Sequence, residues 1–186
     1  MAQALFINPE YVKTATIIDE NVEDKIIRLA IIDAQRLHIL PKLGTDLYNK
    51  YITDINNSTA LTGVYKSLMD NYIIPALLKW VLYEVSISMT FKYRNKGIMT
   101  QTSDNAQPVD LGTTGNLKDE FKIAANELTQ RLVDYLCENS EDYPEYTSNT
   151  DGGDIPPDDT LNLTPIWLGR KNYCYDKPGK RDNIQL

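Results

Sequence analysis

Apolar residues are densest between Gly63 and Asn95 (GVYKSLMDNYIIPALLKWVLYEVSISMTFKYRN), where they recur at helical spacing. Tyr65, Leu68, Tyr72, Ala76, Trp80, Tyr83, Ile87 and Phe91 form one stripe. Met69, Ile73, Leu77, Val81, Val85 and Met89 form a second, and Ile74, Leu78 and Leu82 lie between them. From Ile73 to Met89 only Lys79 and Glu84 carry charge. A helix apolar on nearly every side is buried on nearly every side. The pattern therefore predicts a mainly α protein, a helical bundle around one long central helix. Pro75 either kinks that helix or starts a new one. Gly97 is expected to end it, after the cations Lys92, Arg94 and Lys96.

Before the central helix, Glu10 to Ile18 reads as a strand or a short helix. A firmer helix is predicted from about 21 to 40, with Val22, Ile26, Leu29 and Leu37, joined by Ile27 and Ile31, as its buried face. Pro41 disfavours helical geometry at Leu40, which predicts a stop there. Gly44 permits a tight turn, and Thr45 caps a short helix to about Ile55 with Leu47, Tyr48, Tyr51, Ile52 and Ile55 inward. After Gly97, Ile98, Thr100 and Thr102 alternate, Ser103-Asp104-Asn105 supplies turn chemistry, and Pro108 to Leu111 can return as a second strand. A projecting β-hairpin or extended loop is predicted over about 97–115, with Pro108 confining its strand to an edge. The last helix is expected from about 116 to 139, its stripe marked by Leu117, Phe121, Ala124, Leu128, Leu132, Tyr135 and Leu136.

Charge divides the 186-residue chain, whose net charge is -7. Residues 141–159 hold seven acids and no Lys or Arg, together with Gly152-Gly153 and Pro156-Pro157. Such a stretch reads as a flexible acidic linker after a bundle domain of residues 1–140. Residues 160–186 carry five Lys or Arg against Asp176 and Asp182, and concentrate Ile166, Trp167, Leu168, Tyr173 and Tyr175. This reads as an extended C-terminal arm that docks on a neighbouring subunit or on its own bundle. The acidic balance argues against a free-standing nucleic-acid binder, which needs a basic face. The Ile73–Met89 run is shorter than the roughly 20 apolar residues of a membrane span. MAQALFINPEYV lacks the basic and apolar regions of a signal peptide. Cys137 and Cys174, without CxxC spacing, read as reduced thiols of a reducing compartment.

Candidate chemistry is sparse. His38 is the only histidine, and neither a hydrolytic triad nor a histidine-rich metal site can be built around it. A di-metal bundle centre needs Glu-x-x-His pairs on two helices and is excluded. TDGGDIPP has no phosphate-loop lysine and its acids repel anions. An acid-only site around Asp104 and Asp110 is the remaining enzymatic reading, and a weak one. No catalytic residue, metal or cofactor is expected.

One run carries more. Ile31-Ile32-Asp33-Ala34-Gln35, His38-Ile39-Leu40-Pro41, Leu43-Gly44 and Leu47-Tyr48 give AQxxHILPxLGxxLY. With the order of helices and with Lys96-Gly97-Ile98 opening a hairpin, this resembles the head-to-tail connector (adaptor, neck ring) proteins of tailed phages. The nearest likeness is to those of crAss-like phages, over about residues 1–140. The resemblance implies a structural virion protein of the neck, assembled in the host cytoplasm. It would form a homo-oligomeric ring, commonly a dodecamer, between the portal protein and the next neck or tail protein. Genomic DNA would pass through its lumen without specific binding, and no membrane would be involved. The expected subunit and partner contacts are Ile98, Thr100, Thr102, Pro108, Val109 and Leu111 of the hairpin region, with Ile166, Trp167, Leu168, Tyr173 and Tyr175 of the arm. The competing reading is a monomeric helical binding module or assembly chaperone that holds its partner through the arm.

Overall fold

The computed structural model describes residues 4–94, 97–100, 111–148 and 155–157. Within them the protein is mainly helical. Helix α1 spans Pro9–Ala15: Asn8 accepts the Tyr11 N–H at 2.7 Å, and Pro9 occupies the first turn, where its missing donor costs nothing. The ambiguous Glu10–Ile18 stretch is thus a helix as far as Ala15. Then come α2 (Asp24–Ala34), α3 (Leu40–Leu43), α4 (Thr45–Asn56), α5 (Gly63–Leu68), α6 (Ile74–Thr90), α7 (Leu111–Glu138) and α8 (Pro144–Ser148).

Pro41, expected to stop a helix, does not, and Pro75, expected to kink a helix or start a new one, follows a local widening of the helix. Gln35–Ile39 forms a π turn between α2 and α3, with the Leu40 N–H reaching back five residues to the Gln35 carbonyl. Met69–Ile73 forms another between α5 and α6, with the Ile74 N–H bonded to the Met69 carbonyl. Pro41 and Pro75 each sit at the second residue after such a turn. In a regular α-helix a proline ring meets the carbonyl four residues back and leaves it without a donor. A turn widened by one residue takes up that misfit, so the chain remains helical from Asp24 to Leu43 and from Gly63 to Thr90. The stop expected at Leu40 falls instead at Gly44. Its φ of +76° is one that a residue with a Cβ rarely adopts. A Cβ there would also come within 2.7 Å of the Pro157 ring.

Helix α6 packs against α2 and against α7, which places Ala76, Leu77, Trp80, Val81 and Val85 in the core. The buried face of α2 agrees with the expected one at Ile27 and Ile31, with Val22 and Ile26 packed against the core, and departs from it at the two leucines. Ile27, Ala30, Ile31 and Ala34 are buried, whereas Leu29 and Leu37 are 54% and 62% exposed. Helix α6 ends at Thr90, earlier than Gly97, because Phe91–Arg94 (β1) is extended and pairs antiparallel with Gly97–Thr100 (β2), Phe91 opposite Thr100. The pairing expected between residues 98–102 and 108–111 is not seen: β2 faces β1, residues 101–110 lie outside the described residues, and Leu111 begins α7. Helix α7 also starts five residues earlier than expected.

The folded chain continues past residue 140, where the linker was expected to begin. Ser140–Asp142 makes a 3₁₀ turn and α8 follows, with Tyr143 and Tyr146 buried. Further on, the Thr45 N–H donates to the Ile155 carbonyl at 3.0 Å and the Ile155 N–H donates to Thr45 Oγ1 at 3.1 Å. Two tyrosines and this short docking contact hold part of the acidic stretch to the bundle. Cys137, near the end of α7, is disulfide-bonded, contrary to the expected reduced thiol.

Candidate interaction site

Helix α6 serves two faces at once. Pro75, Leu78, Lys79 and Leu82 follow the i, i+3, i+4, i+7 rule along one side, and Trp80, Tyr83 and Glu84 occupy another. The first side joins Ile17, two residues past α1, and Phe121 and Leu128 of α7 around an open groove of about 350 Å³. Its lining is mostly apolar, with Lys79 the charged group among the lining residues. Ile17 is 78% exposed beside it. A groove of this kind can accept apolar side chains of another segment.

The second side holds His38, delivered by the π turn before Pro41. Its ring stacks on Trp80 with centroids 3.6 Å apart and planes 3° from parallel, and it meets Tyr83 edge-on. His38 Nε2 lies 2.8 Å from Glu84 Oε1. A carboxylate only accepts, so Nε2 carries the proton and donates. Trp80 Nε1–H in turn donates to Thr129 Oγ1 at 2.9 Å, and that hydroxyl donates to the Ala125 carbonyl, closing the chain of partners. Lys118 sits 4.1 Å over the Tyr83 ring. Burial pulls the His38 pKa below its ordinary 6.5; the bond to and charge of Glu84 oppose this, while Lys118 and Lys122 add to it. His38 is thus a partly buried histidine held between Trp80 and Glu84.

The unfolded chain takes up the His38 proton before the folded one does. The stabilisation is complete above the ordinary value of 6.5 and is lost as pH falls through the lower folded value. Urea titrations between about pH 7.5 and about pH 5 should show stability falling with acidification, and His38→Gln should flatten that dependence. An unchanged slope in the variant would assign the dependence elsewhere.

A tyrosine cluster locks α8 to the other elements. Tyr51, Tyr65, Tyr143, Tyr135 and Tyr72 follow one another with centroid separations of 6.2, 5.5, 6.3 and 4.1 Å. Tyr51 donates to the Tyr65 carbonyl, Tyr65 to Glu145 Oε2, and Tyr143 to the Val64 carbonyl. Burial raises the pKa of all three well above the ordinary phenol value, so they remain donors at any working pH. Lys50 and Arg131 cap the cluster over Tyr65 and Tyr72. Residues 141–148 belong to the stretch whose acids read as a flexible linker, which hides this cluster; Tyr143 and Tyr146, three apart around Pro144, are the signal the sequence offers.

Of the contacts expected from sequence, Ile98 and Thr100 lie on β2 and Leu111 opens α7. Thr102, Pro108, Val109, Ile166, Trp167, Leu168, Tyr173 and Tyr175 lie outside the described residues. Among the described residues no group of three His, Cys, Asp or Glu could hold a metal ion, and no helix is long and apolar enough to cross a membrane.

Fold and surface together define a mainly helical bundle whose distinctive geometry is one proline-bearing corner and two faces of α6. By sequence the chain belongs to DUF6712, a family of unknown function whose model matches residues 39–155. No curated protein and no solved structure matches the chain.

Proposed function

We propose that the protein is a head-to-tail connector of a tailed phage, a ring-forming virion protein seated below the portal that extends the DNA channel towards the tail. The observation that carries this reading is the corner built by the run from Ala34 to Tyr48, the same run that resembles phage connectors. Ala34 and Leu43 are buried, Gln35 bonds Tyr48, His38 stacks on Trp80, and Gly44 receives Pro157. These packing and turning duties are what a structural role asks of the motif. A rigid bundle around a long central helix, with a projecting hairpin and a C-terminal arm, suits head-to-tail contacts that close a ring. A chain of net charge -7 suits a lumen through which DNA slides, since phosphate is repelled rather than neutralised.

Electron microscopy and light scattering of the purified protein, alone and mixed with its portal, test the reading. Rings, or stoichiometric decoration of portal particles, are expected. A protein that stays monomeric and never joins portal particles would leave the binding-module or chaperone alternative, which also predicts absence from mature virions.

A further inference from the structure

The groove between α1, α6 and α7 carries a knob at its own rim. Ile17 is the most exposed large apolar side chain among the described residues and lines the groove edge. Its backbone is fixed on both sides: Thr16 Oγ1 donates to the Val12 carbonyl at 2.7 Å and accepts the Ile18 N–H at 3.3 Å, and Ile18 is buried. A knob held in this way loses little freedom when it is covered. Lys79, half-buried in the groove wall, makes no ion pair or hydrogen bond among the described residues. Just beyond Ile17, Glu20 is exposed, and Lys13 Nζ holds its carbonyl at 3.0 Å. Its carboxylate also has no ion pair among the described residues, whereas that of Asp19 is engaged by Asn21. We propose that this face pairs two copies of the chain about a two-fold axis. Ile17 of each copy enters the groove of the other, and Glu20 of each meets Lys79 of the other.

A second copy fits this face better than a small molecule does. At about 350 Å³ the groove is at the small end of sites that enclose a whole ligand, and it suits a few aliphatic side chains. The apolar surface also extends past it. Tyr11 and Leu117, both exposed, lie one helical turn along α1 and α7 from the lining residues Ala15 and Phe121. A contiguous apolar patch rimmed by charge marks a protein contact. Knob and groove lie side by side, so a single contact between copies covers both, and the arrangement that does so is two-fold. The charges agree with it, since the wall that receives the partner's Ile17 is basic and the turn that follows Ile17 is acidic. The pairing is separate from the head-to-tail contacts of a ring and does not depend on them.

Light scattering of the full-length protein over a concentration series from about 1 μM to about 1 mM tests the pairing. A shift from the mass of one chain towards that of two is expected. Ile17→Asp should raise the dimer Kd about tenfold or more, with circular dichroism and Tm unchanged, because Ile17 is exposed in the single chain. Glu20→Lys and Lys79→Glu alone should each weaken the pair about tenfold, since each brings like charges together at both contacts. Mixed in equal amounts, these two variants should pair within about threefold of the wild-type Kd, because both contacts then join opposite charges. A role for either residue within its own chain gives no such rescue. A protein that stays monomeric throughout the series would overturn the proposal. So would pairing that survives Ile17→Asp, or charge variants that fail to weaken it alone or to restore it on mixing.

Discussion

Replacing Trp80 with alanine is expected to lower the stability of the bundle by about 3–5 kcal/mol, the range for emptying a buried large aromatic site. In a chain of this size that corresponds to a fall in Tm of roughly 6–20 °C, at ~2–4 °C per kcal/mol. Three losses coincide. The indole leaves a cavity between α2, α6 and α7; His38 loses the ring on which it stacks; and Thr129 loses its donor. Trp80→Phe separates these contributions, because it keeps a ring for His38 but cannot donate to Thr129. Thr129 still bonds the Ala125 carbonyl, so no buried donor is stranded and the cost should be clearly smaller. Thermal unfolding followed by circular dichroism measures both variants. A Trp80→Ala protein that melts with the wild type would mean that the aromatic stack does not organise the core.

Gln35→Ala is expected to cost about 2–4 kcal/mol, although glutamine is a residue more often found on surfaces. Its side chain is fully buried and every polar atom is used. Oε1 accepts the Phe6 N–H at 2.9 Å, and Nε2 donates to the Tyr48 hydroxyl at 3.2 Å and to the Ala4 carbonyl at 3.4 Å. The amide thus substitutes for a neighbouring strand along the N-terminal segment. Truncation leaves Phe6 and Tyr48 short of partners in a region that water reaches poorly. The distinguishing measurement is hydrogen exchange at the Phe6 amide. Exchange there should accelerate more than the global loss of stability explains, and a purely global change would refute the clamp.

Much of the architecture could be read from periodicity alone, because long helices repeat their signal many times. The density of apolar residues around Trp80 announced the core, and the stripe through Leu132 and Leu136 announced α7. The failures have identifiable physical sources. Pro41 reads as a stop because single-residue reasoning assumes a regular α-helix, whereas a π turn accommodates a proline without ending the helix, as it also does before Pro75. On α2 the isoleucines Ile27 and Ile31 face inward as their spacing predicts, whereas Leu29 and Leu37 face outward and the small Ala30 and Ala34, weak in any hydrophobicity pattern, are buried in their place. Tyr143 and Tyr146 were hidden by the acids around them, since composition averages over a window and burial is decided residue by residue. The groove beside Ile17 had no sequence signature at all. It is assembled from α1, α6 and α7, segments that nothing in the linear pattern connects. The corner motif was visible as a motif, but what Gln35 and Gly44 do in it became clear only from their partners, Phe6 and Pro157.

Those two partners have a mechanical consequence. Gln35 holds the chain at Ala4 and Phe6, and Gly44 with Thr45 holds it at Ile155 and Pro157. Tension entering from either extremity of this bundle is therefore received by one stretch, residues 35–48. The helical stack behind that stretch is loaded from a single point, not pulled between two opposite ends.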